Sequence, residues 1–419
     1  MKIGILGAGI SGLSIGKLLS GTFDIEIIEK QGLPGGIART KSVNGISYHL
    51  TGGHCFNSKY PEVLDFVFNY IMPKDQWHKI SRDAAIRLHG RDINYPIEFA
   101  IKQIFSFNRH LAISFVKDFL NANDDKYYNN LEEWFRKKFG NSLSEEYFIP
   151  YNKKIWNRHP IDINPSWVEG KLPIPDTETF FQALFEGASD RMPHMEFYYP
   201  NSNDQNTFID NLASELLIKY NVPVKIVDFD TEEKKWIINN KFHYDLLINT
   251  LPINEFPGFI KNCPPAILEA ASKLEFNKVS TMLWETKPTS RTWTYFPDSN
   301  NLFHRYIHIG NFFSPTKNYT ITEVVGEKSY EEMTSSGNKD AFLIKPLDYN
   351  VSNHAYVIFN DNYKNNKEII LDYLKKRGIH SIGRFGEWEY YNMDVCIKKA
   401  IELKSEIINT YIEKREQKI

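Results

Sequence analysis

Short apolar runs and a glycine turn alternate in the first thirty residues of the chain. Residues 2–6 (KIGIL) are continuously apolar, which is typical of a β-strand buried on both faces. A glycine turn (GAGISG) follows, then a segment with helical spacing (LSIGKLL), then a second apolar run at residues 24–29 (DIEIIE). The order strand, turn, helix and strand predicts a βαβ unit and therefore a parallel sheet.

The pattern changes twice in the next part of the chain. Residues 79–96 (KISRDAAIRLHGRDINYP) predict a hairpin that turns at residues 89–92 (HGRD). From about residue 97 to residue 180 the apolar spacing becomes helical, and residues 207–220 (TFIDNLASELLIKY) predict one further amphipathic helix. A helical region is therefore expected between two regions of strands.

The second half of the chain is mainly strand-like. Residues 236–252 (WIINNKFHYDLLINTLP) predict a hairpin whose second strand rejoins the nucleotide sheet. Aromatic and β-branched residues are frequent from 275 to 360, which predicts an antiparallel sheet. Residues 393–414 predict a long amphipathic helix that closes the chain.

Composition narrows the class of protein. With 419 residues, of which 42% are hydrophobic, the chain exceeds the size of one core, so two or three domains are expected. Fifty basic residues against fifty-two acidic ones give a formal net charge of −2. That balance argues against nucleic acid or an anionic membrane as the main partner. No run of apolar residues is long enough to predict a spanning helix.

The cysteines give no sign of a disulfide framework. Cys55, Cys263 and Cys396 are odd in number and far apart, and their spacing is not that of zinc ligands. The start of the sequence does not predict a secretory signal, because the apolar run breaks at Gly7. We therefore expect a cytoplasmic protein without a metal site.

The glycine turn carries a dinucleotide fingerprint. Gly7 makes the tight turn out of the strand, Gly9 lets the backbone approach a pyrophosphate, and Gly12 lets the helix pack closely on the strand. Glu29 ends the second strand, where its carboxylate can accept hydrogen bonds from a ribose diol. The cofactor-binding residues predicted in this segment are Gly7, Gly9, Ile10, Ser11, Gly12, Glu29 and Lys30.

A second glycine element distinguishes FAD from NAD. Gly35, Gly36 and Arg39 follow soon after the ribose-binding acid. A double glycine followed by an arginine resembles the second phosphate-contacting element of the glutathione-reductase-like FAD family. FAD is therefore the predicted cofactor.

Five later motifs, in order, resemble the UDP-galactopyranose mutases. They are residues 48–54 (YHLTGGH), residues 147–156 (YFIPYNKKIW), the segment from His304-Arg305 to Phe313-Ser314-Pro315, Tyr356 within HAYVIF, and residues 383–394 (GRFGEWEYYNMD). Each motif is of moderate specificity, and their order along nearly the whole chain is what carries the resemblance.

The resemblance implies a redox-neutral isomerisation of a nucleotide sugar between its pyranose and furanose forms. In such a reaction the reduced flavin attacks the anomeric carbon through its N5 atom, and the sugar ring opens and recloses on that adduct. FAD would be active only when reduced, with NADPH or NADH as external reductant. A nucleotide sugar is the implied partner, a homodimer is conceivable, and cell-surface polysaccharide synthesis is the implied setting.

The same resemblance assigns roles to residues. It implies catalytic roles for Arg305, His54 and Lys171. It adds the cofactor-binding residues Gly53, His54, Arg384, Tyr391, Asn392 and Met393. The implied substrate-binding residues are Tyr147, Tyr151, Asn152, Trp156, Lys171, Arg305, Tyr356 and Tyr390.

Structural roles remain open for several of these residues. Arg305 could form an ion pair, Tyr356 and Tyr390 could be core aromatics, and His54 could be a buried histidine with satisfied hydrogen bonds. Tyr151 and Trp156 could belong to the core, and Asn152 could cap a helix break. Because diphosphate recognition favours the planar fork of arginine, Arg305 is the residue with the clearest chemical reason to bind substrate.

One position departs from the mutase pattern, and two rival functions stay open. The mutases carry a second arginine on a mobile loop, whereas the corresponding stretch here offers Lys171, which keeps the charge without the fork. An FAD-dependent oxidoreductase of the amine-oxidase or protoporphyrinogen-oxidase type is the main alternative. A non-catalytic binder of flavin or nucleotide sugar is the second.

The predicted fold class is α/β, with an FAD-binding Rossmann-like doubly wound domain, an inserted helical domain and an antiparallel β-sheet domain. The predicted ranges are 1–75 plus 190–255 plus 376–419 for the FAD-binding domain, 97–185 for the helical domain, and 76–96 plus 256–375 for the antiparallel-sheet substrate domain.

Overall fold

A computed structural model describes residues 1–122, 127–168, 172, 174, 176–186 and 196–416. The strands in this part of the chain are β1 (Lys2–Leu6), β2 (Asp24–Ile28), β3 (Thr40–Val43), β4 (Ile46–His49), β5 (Trp77–Ser81), β6 (Ala84–Leu88), β7 (Arg91–Asn94), β8 (Glu196–Pro200), β9 (Leu217–Lys219), β10 (Val227–Asp230), β11 (Lys235–Ile238), β12 (Phe242–Tyr244), β13 (Leu246–Asn249), β14 (Phe276–Thr286), β15 (Trp293–Tyr295), β16 (Arg305–Ile307), β17 (Tyr319–Val325), β18 (Leu343–Val357) and β19 (Ile379–Ser381).

The α-helices in the same part are α1 (Ile10–Leu19), α2 (Pro61–Asp65), α3 (Ile101–Phe107), α4 (Arg109–Leu120), α5 (Leu131–Phe139), α6 (Asn141–Leu143), α7 (Ile149–Trp156), α8 (Thr177–Glu186), α9 (Asn206–Ala213), α10 (Pro265–Ser272), α11 (Tyr330–Gly337), α12 (Tyr363–Lys376) and α13 (Met393–Glu416). Two π-helical segments, Phe66–Ile71 and Ser144–Phe148, follow α2 and precede α7.

A five-stranded parallel sheet is formed in the order β19-β13-β1-β2-β9. The side chains of Ile3, Ile5 and Leu6 on β1 are fully buried, because helix α1 packs on one face of the strand and β12, with its Tyr244 ring against Gly4, packs on the other. The helices α1 and α13 pack against each other beside this sheet. The predicted βαβ unit and the closing helix are thus confirmed.

A seven-stranded sheet is formed in the order β18-β14-β17-β16-β15-β6-β7. All its pairs are antiparallel except β15 with β6. The predicted hairpin supplies β6 and β7, and its turn uses His89 and Gly90, which both have positive φ. Such a turn matches the twist of the two strands. The antiparallel sheet predicted from 275 to 360 is confirmed.

In the sequence, the helices α3 to α8 lie between the strands β7 and β8. Helix α5 begins after Asn130, whose side chain accepts the backbone N–H of Glu133, and it ends at Gly140, where φ is +80°. Its buried Phe135 and Phe139 rings stack on Phe148, with centroids 4.8 and 4.3 Å apart. These stacked aromatic rings give α5 and the π-helical segment before α7 a common core.

Two predicted elements differ from the structure. The helix predicted at 207–220 ends at Ala213, and Leu217–Lys219 instead pairs with β2 as the edge strand β9. Glu215 has a φ of +63°, which interrupts the helix. The hairpin predicted at 236–252 is β11 with β12, and the next strand, β13, rather than β12, joins the parallel sheet.

The predicted α/β fold class, with a Rossmann-like parallel sheet, a helical insertion and an antiparallel sheet, is confirmed. The exact ranges of the three domains stay a prediction. Within the described residues, each helix is either too short or too polar to cross a membrane.

Candidate active site

The glycine turn forms a backbone surface that we call the glycine cradle: Gly7, Gly9 and Gly12, with Gly35 and Gly36 opposite. Gly9 is the N-cap of helix α1, and because no side chain caps the helix, the first N–H groups receive no side-chain partner there. A Cβ at Gly9 would meet no atom within 4 Å, whereas a Cβ at Gly12 would lie 2.0 Å from the Gly7 carbonyl oxygen. The cradle therefore offers unpaired N–H groups to an anion, while Gly12 lets the helix lie against the strand.

The carboxylate of Glu29 closes one side of the cradle. It accepts the backbone N–H of Ala8 and of Gln31, each at 2.8 Å. A carboxylate has about four acceptor positions, so two remain for hydroxyl donors. This geometry suits a ribose diol at the end of β2.

A cavity of about 640 Å³ runs from the glycine cradle to one face of the seven-stranded sheet. The predicted site residues that line it are Gly7, Gly9, Ile10, Ser11, Glu29, Lys30, Gly35, Gly36, Arg39, Gly53, His54, Arg305, Tyr356, Arg384, Tyr390, Tyr391, Asn392 and Met393. Residues from both ends of the chain, from β16 and from β18 thus meet at one cavity.

The sheet wall of the cavity owes its composition to strand register. Arg305 on β16 pairs with Tyr295 on β15 and with Glu323 on β17. Side chains at paired positions lie on the same face of a sheet, so these three point together towards the cavity. Arg305 follows directly from the predicted motif, whereas Tyr295 and Glu323 were not predicted.

Arg305 is the centre of a group that we call the arginine cluster: Arg305, Glu323, Tyr356 and His304. The Nη2 atom of Arg305 donates to both carboxylate oxygens of Glu323, at 2.9 and 3.0 Å, and to the Tyr356 hydroxyl at 2.9 Å. Tyr356 in turn donates to Glu323 at 2.9 Å. The guanidinium is therefore fixed in place before any ligand arrives.

Glu323 is ionised although it has no solvent exposure. Burial alone would raise its pKa, but the charge of Arg305 and the hydrogen bond from His304 outweigh burial and hold the pKa of Glu323 well below that of an ordinary glutamate. Its signal in the sequence was a lone acid inside the apolar strand YTITEVV. A charged residue there needs a buried partner, which Arg305 supplies.

Two further arginines line the same cavity. Arg384 donates to the carbonyl oxygens of Ala355 and Tyr391, at 2.6 and 3.3 Å, and lies 4.4 Å from the centroid of the Tyr390 ring. Arg82, which was not predicted, donates to the Tyr295 hydroxyl at 2.6 Å.

Two arginines of the cavity have no carboxylate partner among the described residues. Neither Arg82 nor Arg384 forms an ion pair with a described carboxylate, whereas Arg305 pairs with Glu323. The Nε atoms of Arg82, Arg305 and Arg384 are buried and have no hydrogen-bond partner within the described chain. Buried donors of this kind indicate an anionic ligand.

The loop that follows β4 joins the two walls. The Leu50 carbonyl oxygen accepts hydrogen bonds from Thr281 at 2.9 Å and from Asn350 at 3.0 Å. Gly52 has a φ of +70°, and a Cβ there would lie 2.9 Å from Nη2 of Arg305. The loop therefore passes so close to the arginine cluster that only glycine fits.

His54 lies in this loop and is buried against the cavity. Its pKa is lowered to about 4 by burial and by the charge of Arg384, so the ring is neutral near pH 7. The Nε2 atom of His54 has no partner among the described residues. His54 can therefore act there as a neutral donor or acceptor towards a ligand.

The residues predicted on α7 lie behind the cavity wall and do not line it. Tyr151 stacks on Tyr147 at 5.4 Å and meets the Tyr295 ring at 5.7 Å. Asn152 donates to the Phe148 carbonyl at 2.8 Å and accepts from the Trp156 indole at 3.2 Å. These contacts are aromatic packing and hydrogen bonds within the helix. Lys171, the other predicted residue, lies outside the described residues.

The fold and the cavity together define a dinucleotide-binding α/β protein. The open Cβ position at Gly9 and the uncapped start of α1 fit a pyrophosphate, and Glu29 fits a ribose. Residues 5–70 match the family model of an NAD(P)-binding Rossmann-like domain.

Comparison with characterised proteins points to particular relatives. The chain is 24% identical to a dTDP-fucopyranose mutase of Escherichia coli, over 96% of this chain and 97% of the relative. It is 20% identical to a UDP-galactopyranose mutase of Mycoplasma genitalium, over 96% of this chain and 94% of the relative.

Solved structures agree. Reduced UDP-galactopyranose mutase superposes with a TM-score of 0.83 at 22% identity, covering 98% of this chain and 96% of the other. A putative protoporphyrinogen oxidase from Exiguobacterium sp. 255-15 gives 0.73 at 15% identity, covering 97% and 98%. The chain therefore has the fold of UDP-galactopyranose mutase, and the resemblance predicted from the motifs is confirmed.

Proposed function

We propose that this chain is an FAD-dependent isomerase that interconverts the pyranose and furanose forms of a nucleotide sugar. The observation that carries the proposal is one continuous cavity with the glycine cradle at one end and the arginine cluster at the other. The first suits a dinucleotide and the second suits the diphosphate of a substrate. Two full-length relatives named as nucleotide-sugar pyranose mutases support it.

The glycine cradle would hold FAD, with Glu29 at the ribose and the start of α1 at the pyrophosphate. Arg384, which stacks on Tyr390, and the loop of Gly53 and His54 line the rest of the cavity and would contact the flavin. When bound and reduced, the flavin supplies a nucleophile for the anomeric carbon. NADPH or NADH as the source of its electrons stays a prediction.

Arg305 and Tyr356 would bind the diphosphate. That group gains negative charge when it leaves the sugar, so donors that are already in place stabilise it most in the transition state. Glu323 holds the Arg305 guanidinium and leaves its Nε without a partner among the described residues. The cluster thus combines a fixed cation with free donor capacity.

The other residues of the wall would orient the sugar and exclude water. Trp293 and Tyr295 present aromatic surface beside Arg305, and Arg82 lies 4.8 Å from the Trp293 ring centroid. His54, neutral near pH 7, would give a hydrogen bond without adding charge. Exclusion of water from the cavity would strengthen each of these polar contacts.

Isomerisation by the purified flavoprotein under nitrogen tests the proposal. UDP- and dTDP-activated hexoses are incubated with dithionite-reduced and with oxidised protein, and the products are separated by chromatography. Conversion is expected in the reduced samples only. Arg305→Lys, which keeps the charge but loses the fork, should lower kcat/KM by about a hundredfold while flavin stays bound.

The outcome that contradicts the proposal is bound, reducible flavin without conversion of any donor. Rapid reoxidation of that flavin after reduction by an amine or alcohol would then favour an oxidoreductase, the alternative that the fold similarity to a putative protoporphyrinogen oxidase supports. A cytoplasmic location and a homodimer stay predictions of the sequence.

A further inference from the structure

Lys154 is a half-buried lysine on α7 that contacts neither the cavity nor a carboxylate within the described chain. Its Nζ donates to three backbone carbonyl oxygens, those of Phe296 at 2.8 Å, Asp298 at 2.9 Å and Phe303 at 2.6 Å. An ammonium group has three N–H donors, so all of them are used. Burial lowers the pKa of Lys154 to about 7 although the charge of Asp298 raises it, so the three-donor ammonium is the main form below that pH.

The three carbonyls belong to one loop, residues 296–304, which connects β15 to β16. Within the loop, the Phe296 N–H donates to the His304 carbonyl at 2.9 Å, and the His304 N–H donates to the Glu323 carbonyl at 3.1 Å. The loop therefore ends directly at Arg305. Its start follows Tyr295, the other wall residue of the same pair of strands.

The ammonium is consequently a link between two parts of the chain that are far apart in sequence. Helix α7 is held independently, because Asn277 donates to the Trp156 carbonyl at 2.8 Å. With the helix fixed on one side, the three hydrogen bonds of Lys154 fix the path of the loop on the other. A change in that path would move the backbone of Arg305, whose Nη2 has only narrow freedom between Glu323 and Tyr356.

We propose that Lys154 is a positioning residue for diphosphate recognition: it fixes loop 296–304 so that Arg305 stands in its binding position. The inference rests on the proposed function, since it assumes that Arg305 binds the diphosphate of a nucleotide sugar. Lys154 itself touches no ligand. Its effect passes through Arg305.

The test is a double-mutant cycle read by ligand binding. UDP and dTDP are titrated by calorimetry into four flavin-loaded proteins: wild type, Lys154→Met, Arg305→Lys and the double variant. Lys154→Met should weaken binding by about tenfold in the wild-type background, within the range of couplings measured between residues that are linked by a backbone shift. In the Arg305→Lys background the same change should have an effect of less than about threefold, because the residue through which Lys154 acts is already altered.

Lys153 offers a matched control. It is the neighbouring residue on the same helix and is exposed to solvent. Lys153→Met should leave the affinity for both nucleotides and the bound flavin unchanged. Should Lys154→Met not yield folded flavoprotein, Lys154→Gln, which keeps two N–H donors, takes its place with a smaller expected loss.

The possible results distinguish a failure of the proposed function from a failure of the role given to Lys154. If the wild-type flavoprotein binds neither UDP nor dTDP, the proposed function fails. If the wild type binds and Lys154→Met binds equally well, or if the two substitutions are fully additive, the role of Lys154 is overturned while the proposed function stands.

Discussion

The glycine cradle and the arginine cluster face the same cavity, yet the first is made of backbone and the second of side chains. The cradle presents backbone N–H groups that have no side-chain cap, and its glycines matter because of the atoms that they lack. The arginine cluster presents charged side chains that neighbouring strands hold in place. Substitution should therefore damage the cradle by adding atoms and the cluster by removing charge.

The largest effect is expected at Gly12, where an added Cβ would meet the Gly7 carbonyl oxygen at 2.0 Å. Because that contact is with backbone, Gly12→Ala must displace α1 from β1, and overpacking of this kind costs about 1–3 kcal/mol. We expect loss of most bound flavin, measured as visible absorbance per protein. Gly21→Ala, where a Cβ would meet no atom within 4 Å, is the control. Full flavin occupancy in Gly12→Ala would refute this account of the cradle.

A smaller and more selective effect is expected at Glu323. Glu323→Gln keeps the shape of the side chain but removes the charge that holds Arg305, so kcat/KM should fall by about a hundredfold. Flavin content should not change, because the cradle lies on other elements. Glu285→Gln, an exposed position on β14, is the control. Simultaneous loss of flavin in Glu323→Gln would show that the two regions are not independent.

The ion pair of Glu323 also predicts a pH dependence of stability. Since its pKa is lower in the folded than in the unfolded chain, its contribution is present above the ordinary glutamate pKa and is lost as the pH falls towards the folded value. Urea unfolding should therefore show wild type losing stability faster than Glu323→Gln as the solution is acidified. Equal losses in both proteins would contradict the prediction.

Gly52 sharpens the comparison, because it belongs to the loop that joins the two regions. Gly52→Ala would place a Cβ 2.9 Å from Nη2 of Arg305 and so should weaken UDP or dTDP binding by about tenfold, with flavin retained. Gly45→Ala separates this contact from backbone strain, since Gly45 also has a positive φ of +74° but open space around it. Equal affinity in the two variants would remove the contact as the cause.

The smallest effect is expected from the titration of His54. Its lowered pKa of about 4 means that the ring is neutral throughout the range between about pH 6 and pH 8. Between these pH values, the plot of kcat/KM against pH should therefore have the same shape for the reduced wild-type enzyme and for His54→Gln. An inflection that is present in the wild type and absent in His54→Gln would mean that His54 changes charge in this range.

The sequence alone determined the nucleotide end of the protein. The residues Gly7 to Glu29 act on one another through the local strand, turn and helix, and their spacing fixes that geometry. Arg305, on the sheet wall of the cavity, was also predicted, from its motif. The local pattern was insufficient at 217–219, where pairing with β2 prevailed over helical spacing.

Only the tertiary structure decided which side chains surround Arg305. Alternation along a strand tells which residues share a face, but it does not tell which strand lies beside it or in what register. The pairing of β15, β16 and β17 brings Tyr295 and Glu323 to Arg305. The packing of α7 brings Lys154 to the loop 296–304, which precedes Arg305. Lys154 and Arg305 lie about 150 residues apart in the sequence. Only the long-range hydrogen bonds and packing of the folded chain bring such residues near each other.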